Sequence, residues 1–224
     1  MENINIAIFA SGSGTNAQNI IKYLTDKRYL TEAIPYVIGN CDTKTDLAKL
    51  LPLISVKLVL SNKEDAFVLE RAKNLNVKTA VFTPKQLKEE FSVDNLLDLN
   101  SIDFIILAGF LVKFPDRLVK KYEGRIINLH PSLLPKYGGK GMYGNVVHQV
   151  IIDAKESESG ITIHLVDEKY DNGQHLFQAK CDITPQDTPE SLAAKIHDLE
   201  YKYFPKVICE YIFNYYVSGT LLKE

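Results

Sequence analysis

Cysteine is scarce in this sequence. Only Cys41, Cys181 and Cys209 occur among 224 residues, and no two of them form a C-x-x-C pair. Zinc sites usually contain such pairs, and a disulfide framework needs an even number of cysteines, so three widely spaced cysteines predict neither. The five histidines form no H-x-x-x-H or H-E-x-x-H pair, and we therefore expect no metal. Free thiols are typical of a reducing compartment, which favours a cytoplasmic protein.

A large excess of charge of one sign is also missing. Lys and Arg number 26 and Asp and Glu number 28, so the net charge is only −2. Proteins that bind nucleic acid usually carry a basic surface, and we expect no nucleic-acid partner. No apolar run is long enough to span a membrane, and residues 1–14 lack the pattern of a secretory leader, so no membrane partner is expected. Any anionic ligand must be bound by local positive groups.

Short apolar segments with β-branched residues recur along the chain and predict strands, and helical periodicity appears between several of them. This arrangement predicts one α/β domain, for which 224 residues provide a substantial core. The predicted strands are residues 4–10, 56–60, 79–82, 103–108, 125–129, 160–166 and 176–181. The predicted helices include residues 84–98, residues 146–154 and a long helix from Thr188 toward Tyr216.

Capping residues and prolines predict where some helices begin and end. Ser61 or Asn62 is expected to cap the helix that follows the second strand. Thr188 followed by Pro189 predicts the start of the last helix. Pro205 lies inside that helix and should kink or split it, because proline has no N–H to donate.

A glycine-rich turn, S-G-S-G-T-N, occupies residues 11–16 between the first strand and a helical pattern. Glycines let the backbone approach a ligand closely, and a helix N terminus offers unpaired N–H groups. The pattern matches neither G-x-G-x-x-G nor a Walker A sequence, so a lone phosphate is the ligand it favours. The alternative is a plain turn in which Thr15 or Asn16 caps the helix.

Asn128 and His130 lie at the end of the strand predicted for residues 125–129, directly before Pro131. Residues two apart on a strand point to the same face, so the two side chains should lie side by side. An amide can bond an oxyanion and an imidazole can move a proton. This pair therefore favours acyl chemistry.

The sequence around this pair, N-x-H-P-S-L-L-P, resembles the signature of the folate-dependent formyltransferases, the glycinamide ribonucleotide transformylase family and its relatives. The resemblance extends from the glycine-rich turn to Pro205. It implies a Rossmann-like three-layer αβα fold with a mostly parallel sheet. The other matching motifs are S-G-S-G-T-N at 11–16, S-N-K-x-D-A-x-x-L-x-R-A at 61–72, L-A-G-F at 107–110, G-x-T-x-H at 160–164 and D-x-G at 171–173.

Residues 29–55 are the exception to this resemblance. The family usually continues from its first helix directly to the next strand, so this segment is interpreted as an insertion in a single formyltransferase domain of residues 1–224. Residues 34–38 could form a strand and residues 45–51 a short helix, and a solvated or dimer-contact loop is the expected role.

The family resemblance implies an activity. A member of this family transfers the formyl group of 10-formyltetrahydrofolate, its co-substrate, to the amine of 5′-phosphoribosylglycinamide in de novo purine (IMP) biosynthesis. The implied partners are these small molecules, and the chain is expected to be a monomer or a homodimer. Alternatives that stay open are another amine acceptor, such as methionyl-tRNA or an amino sugar nucleotide, and a non-catalytic module that binds nucleotide or folate. The enzymes that act on methionyl-tRNA usually carry an additional C-terminal domain. The related hydrolase that deformylates the same folate usually carries an additional N-terminal domain. Neither domain is expected here.

The resemblance also implies site residues. They are Asn128, His130 and Asp171 for catalysis; Ser13, Gly14, Thr15 and Asn16 for the substrate phosphate; Lys88 and Glu200 for other substrate contacts; and Gly109, Phe110, Leu111, Phe114 and Val166 for the folate. Ordinary structural roles compete for four of them. Asp171 precedes an Asn-Gly turn, Phe110 could belong to the core, and Lys88 and Glu200 could be solvated surface residues.

Overall fold

The computed structural model describes residues 3–27, 53–89 and 92–221. The segments predicted at 34–38 and 45–51 lie outside the described residues. Within them the chain forms seven strands and seven helices. In chain order these are β1 (Asn3–Phe9), α1 (Thr15–Thr25), β2 (Leu53–Ser61), α2 (Phe67–Asn74), β3 (Lys78–Val81), α3 (Pro84–Lys88), α4 (Ser92–Leu99), β4 (Phe104–Leu107), α5 (Asp116–Lys121), β5 (Ile126–His130), α6 (Asn145–Asp153), β6 (Glu158–Leu165), β7 (His175–Asp182) and α7 (Pro189–Leu221).

The strands form one sheet in the order β3-β2-β1-β4-β5-β6-β7. Strands β1 to β5 pair in parallel, whereas β6 and β7 are antiparallel to their neighbours. The predicted α/β fold with a mostly parallel sheet is thus confirmed. The chain passes from β1 outward to β3 and then crosses back to β4 on the other side of β1. Ligands of open α/β sheets bind outside the strand carboxyl ends at such a switch point.

Strand β1 shows why the sheet lies between two helical layers. Ile6 and Ile8 belong to one buried cluster, which contains residues of α1, α2, α6 and α7. Ala7 and Phe9 belong to a second cluster on the other face, which contains residues of α3, α4 and α5. All four side chains are fully buried. A strand covered on both faces must be apolar at consecutive positions, as the continuous run in β1 is.

Helix α2 begins later than its sequence predicts. Its first residue is Phe67 and its N-cap is Ala66, so the prediction of Ser61 or Asn62 as the cap is wrong. Ser61 is still the last residue of β2. The Asn62 side chain is engaged elsewhere, because its Oδ1 accepts a hydrogen bond from Ser11 Oγ at 2.7 Å. A long-range bond has replaced the local cap.

The single helix predicted for residues 84–98 is two helices. A capping box between Thr83 and Gln86 begins α3, and Glu89 ends it with an extended backbone at φ −77° and ψ 142°. Helix α4 begins separately at Ser92. Apolar periodicity continues through both helices, which is why the sequence pattern did not reveal the break.

The last helix starts as predicted but is not split. It begins at Pro189, and Thr188 Oγ1 accepts the N-cap hydrogen bond. It then runs continuously through Pro205 to residue 221. A proline inside a helix costs roughly 3 kcal/mol. The side chains of Phe204 and Ile208 are fully buried, and this packing stabilises the helix around the proline. None of the described helices combines the length and apolarity needed to cross a membrane.

Phe104 offers a test of the core on the face covered by α7. Its side chain is fully buried, and its ring meets the Tyr215 ring edge-on at a centroid distance of 5.2 Å. We expect Phe104→Ala to lower the free energy of unfolding by about 3–5 kcal/mol, measured by urea denaturation. The control is Leu99→Ala, because Leu99 is 82% exposed and should change stability by less than about 0.5 kcal/mol. Equal effects of the two substitutions would contradict this packing.

Candidate active site

A cleft of about 570 Å³ opens at the carboxyl ends of the central strands. It is lined by segments 12–16, 107–114, 128–131, 139–145 and 166–171 and by His148, His164, His197 and Glu200. Every site residue implied by the family resemblance lines this cleft except Lys88. Lys88 is exposed on α3, so the structure does not bring it together with the others.

The glycine-rich turn leads directly into α1. Gly14 is the N-cap at φ 75°, and no side chain caps the helix, so the interpretation of Thr15 or Asn16 as the cap is wrong. A Cβ on Gly14 would lie 2.4 Å from Val68 Cβ, which means that α2 packs directly against the turn. The first turn of α1 therefore presents backbone N–H groups to the cleft without a competing side-chain acceptor.

Asn16 is connected to the last helix. Glu200 Oε2 accepts a hydrogen bond from Asn16 Nδ2 at 2.8 Å and another from His197 Nδ1 at 2.9 Å. Glu200 is only 6% exposed, so its interpretation as a solvated surface residue is wrong. The hydrogen bond to this carboxylate raises the pKa of His197. The polar end of the cleft thus holds a carboxylate and an imidazole beside a helix N terminus.

Strand β5 delivers Asn128 and His130 to the same side, as the two-residue spacing predicts. The Nε2 atom of His130 lies 2.8 Å from the Tyr137 carbonyl oxygen, which can only accept, so this nitrogen carries a proton. The other ring nitrogen, Nδ1, lies 3.6 Å from Asp171 Oδ2. That distance exceeds a hydrogen bond but suits an ion pair with a protonated imidazole. Nδ1 is therefore the atom of His130 that can gain or lose a proton.

Asp171 combines a turn role with a place in the cleft. Its φ of 50° is left-handed, a conformation that Asp tolerates better than most residues. Its Oδ2 accepts a hydrogen bond from the Gly139 N–H at 2.8 Å. Its Oδ1 lies 3.7 Å from His164 Nε2. The turn aims the carboxylate at both histidines, so the two interpretations of Asp171 are compatible.

His164, the last residue of the G-x-T-x-H motif, lines the cleft, although it is not among the site residues that the resemblance implies. Its Nδ1–H donates to the Leu165 carbonyl at 2.8 Å, so Nε2 accepts the hydrogen bond from Asn128 Nδ2 at 3.0 Å. Burial lowers the pKa of His164 and keeps it neutral. This bond fixes which way the Asn128 amide points. Sequence patterns could not predict this contact, because they do not give the register of β6 against β5. That antiparallel register places His164 opposite Asn128 and Thr162 opposite His130.

His148 also lines the cleft, and no sequence motif indicated it. Its side chain is 3% exposed, and burial lowers its pKa. A lone histidine on the apolar face of a helix resembles an ordinary core residue, so no pattern could have placed it here. Among the described residues, no group of three His, Cys, Asp or Glu side chains could hold a metal ion.

The other end of the cleft is aromatic. Phe110 and Phe114 pack with Phe9, and the ring centroids lie 5.5 and 5.1 Å from that of Phe9 in edge-on geometry. Leu111 is 45% exposed at this end. Its backbone N–H donates to Ser11 Oγ at 3.0 Å, which ties this turn to the glycine-rich turn. A groove of rings and aliphatic groups suits a flat heterocycle.

Comparison with known proteins identifies relatives of this chain. The profile of the family described as formyl transferase matches residues 4–208. The phosphoribosylglycinamide formyltransferase of Haemophilus influenzae is 34% identical over 224 residues, which cover 98% of this chain and 90% of that protein. The enzyme of the same name from Bacillus subtilis is 32% identical over 206 residues, which cover 90% of this chain and 91% of that protein.

Solved structures agree with these relatives. The crystal structure of phosphoribosylglycinamide formyltransferase from Bacillus halodurans matches with a TM-score of 0.72 at 33% identity, covering 92% of this chain and 94% of that one. Glycinamide ribonucleotide transformylase 1 from Geobacillus kaustophilus matches with a TM-score of 0.73 at 34% identity, covering 92% of this chain and 97% of that one.

Two glycines of the turn provide a matched pair of substitutions. We expect Gly14→Ala to lower the free energy of unfolding by roughly 2–4 kcal/mol, because its left-handed φ and its contact with Val68 both oppose a Cβ. Gly12 has nothing within 4 Å of an added Cβ and no left-handed φ, so Gly12→Ala should change stability by less than about 1 kcal/mol. Urea denaturation of both variants measures the difference, and a Gly14→Ala protein as stable as Gly12→Ala would refute the tight turn.

Proposed function

The chain belongs to the formyl transferase family, and on that premise we propose that it transfers the formyl group of 10-formyltetrahydrofolate to the amine of 5′-phosphoribosylglycinamide, a step of de novo purine biosynthesis. One observation carries the proposal. The amide of Asn128, the imidazole of His130 and the carboxylate of Asp171 lie in one cleft, between a helix N terminus and an aromatic groove.

The acceptor occupies the polar end of the cleft. Its phosphate binds the backbone N–H groups of residues 13–16, where the dipole of α1 favours an anion. Glu200 faces the ribose or the amine side of the same molecule. The folate lies at the aromatic end against Gly109, Phe110, Leu111, Phe114 and Val166. This arrangement brings the acceptor amine and the formyl group together near Asn128.

Transfer is direct. The acceptor nitrogen attacks the formyl carbon, and a tetrahedral intermediate forms with negative charge on the former carbonyl oxygen. Asn128 donates an amide N–H to that oxygen, and His164 holds the amide in the donating orientation. The bond between the formyl carbon and the folate N10 then breaks. The acceptor nitrogen gives up one proton, and N10 receives one.

His130 and Asp171 handle charge and protons in this sequence. With Nε2–H bound to the Tyr137 carbonyl, His130 binds a second proton on Nδ1, the nitrogen that faces Asp171. The resulting imidazolium stabilises the oxyanion, and the carboxylate stabilises the imidazolium. Asp171 also assists the passage of the proton from the attacking amine to the folate nitrogen.

Three broader features belong to the same proposal. Residues 1–224 form a single formyltransferase domain in which residues 29–55 are an insertion. The protein works in the cytoplasm, where its thiols stay reduced; Cys181 and Cys209 form no disulfide in the part of the chain described here. It acts as a monomer or a homodimer on small molecules.

A spectrophotometric assay for the deformylated folate tests the function directly. With 10-formyltetrahydrofolate and phosphoribosylglycinamide together, we expect folate product at the rate at which formylated acceptor appears. Product without acceptor would identify a hydrolase instead. Binding of both ligands without product would identify a binding module and would overturn the proposal.

Substitutions in the cleft test the assigned roles. Asn128→Ala should lower kcat by roughly 10²–10³-fold, the usual cost of an oxyanion donor. His130→Ala and Asp171→Asn should each lower kcat by about 10²–10⁴-fold, as expected for groups that move protons. The affinity for the nucleotide should change little, since these groups meet charge that develops only in the transition state.

The three groups should also act as a unit, so a double variant should lose much less than the product of the two single losses. Steady-state kinetics and nucleotide titration measure both quantities. If Asp171→Asn kept a near-normal kcat and pH profile, Asp171 would serve only the turn and the proton route would have to be redrawn.

A further inference from the structure

We infer that Arg71 is the cationic support of the phosphate subsite, a positioning residue that acts through the glycine-rich turn from outside the cleft. Arg71 lies on α2, and its Nε–H donates to the Ser13 carbonyl at 2.9 Å. Its Nη1 donates to Gln18 Oε1 on α1. One guanidinium therefore joins the turn to the helix that the turn begins. This inference rests on the proposed function, because it takes the turn as the phosphate site.

The bond to Ser13 determines which way the turn's N–H groups point. In a trans peptide the carbonyl and the next N–H point in opposite directions. The Ser13 carbonyl is bound by Arg71, and the Gly12 carbonyl is bound by the Val68 N–H at 3.1 Å. Both acceptors face α2, so the N–H groups of Ser13 and Gly14 face away from it. Successive N–H groups presented on one side form an anion-binding concavity.

The charge of Arg71 has no carboxylate partner among residues 3–27, 53–89 and 92–221. Its described contacts are two neutral oxygens and the face of the Phe67 ring, 4.7 Å from the guanidinium carbon. Arg117, by contrast, pairs with Asp94 at 2.5 Å. A cation beside an anion-binding turn favours a doubly charged phosphate ester over an uncharged ligand.

Arg71 thus supplies a positive charge beside the turn, which Lys88, implied by the family resemblance as a substrate contact, does not supply. Lys88 lies on α3, outside the cleft. A guanidinium bound to a peptide carbonyl also polarises that peptide, which strengthens its N–H as a donor. The turn thus gains affinity for phosphate without a charged side chain entering the cleft.

Direct binding of inorganic phosphate, measured by calorimetry, tests Arg71 independently of catalysis. Arg71→Gln should raise the dissociation constant for phosphate by a factor of roughly 5–30, the usual effect of losing one charge-assisted interaction. Arg71→Lys keeps the charge but not the planar pair of donors, and its loss should be smaller. The matched control is Lys73→Gln, which removes the same charge from an exposed position on α2 and should leave phosphate binding within about twofold.

Kinetics separate this role from a general structural one. In Arg71→Gln the KM for phosphoribosylglycinamide should rise by the same factor as the phosphate dissociation constant, while the KM for the formyl folate stays unchanged. Unchanged phosphate binding, an equal loss in Lys73→Gln, or an equal rise in both KM values would overturn the inference. Should Arg71→Gln fail to fold, Arg71→Lys replaces it in both measurements, with a smaller but measurable loss of phosphate binding expected, and unchanged phosphate binding in that variant would overturn the inference. A wild-type protein that binds phosphate through Arg71 but transfers no formyl group would refute the proposed function and leave this inference standing.

Discussion

The Asp171 carboxylate is the group on which the geometry of the cleft depends. Its two oxygens lie close to three segments that are remote in sequence: the Gly139 N–H of segment 139–145, Nδ1 of His130 at the end of β5, and Nε2 of His164 on β6. The Asp171 side chain is only 13% exposed, so its charge is screened less than in water, which strengthens its hydrogen bond with the Gly139 N–H and, when His130 is protonated, its attraction to that imidazolium. Asn128 is held in turn by His164.

The sheet explains why these groups can meet. The carboxyl ends of parallel strands lie at one edge of the sheet, so the turns after β1 and β4 lie beside the end of β5. The antiparallel strand β6 pairs with β5 there and places His164 beside Asn128. Ser11 then ties the glycine-rich turn, the proposed acceptor side, to the Leu111 turn, the proposed folate side, through its bonds to Asn62 and the Leu111 N–H. The sheet fixes the distance between the two proposed substrate regions, and direct transfer between bound substrates requires a fixed distance between them.

Much of this arrangement could be predicted from sequence, because local patterns encode it. The strand that carries Asn128 and His130, the turn at residues 11–16 and the loop with Asp171 each follow from short-range rules. The contributions of His164, Glu200 and Arg71 could not be predicted by those rules, since each depends on a partner far away in the chain. The same reason explains why the predicted start of α2 was wrong and why Pro205 does not split α7. In both places tertiary contacts outweighed the local sequence signal.

Isotope exchange tests the central claim, direct transfer between two substrates bound in one cleft, most simply. The protein is incubated with 10-formyltetrahydrofolate labelled in the formyl group and with unlabelled tetrahydrofolate, first without and then with phosphoribosylglycinamide. Direct transfer predicts no label in the tetrahydrofolate pool without the acceptor and label on the acceptor amine once it is added. Exchange of label into the folate pool without acceptor would reveal a formyl-enzyme intermediate and contradict the account.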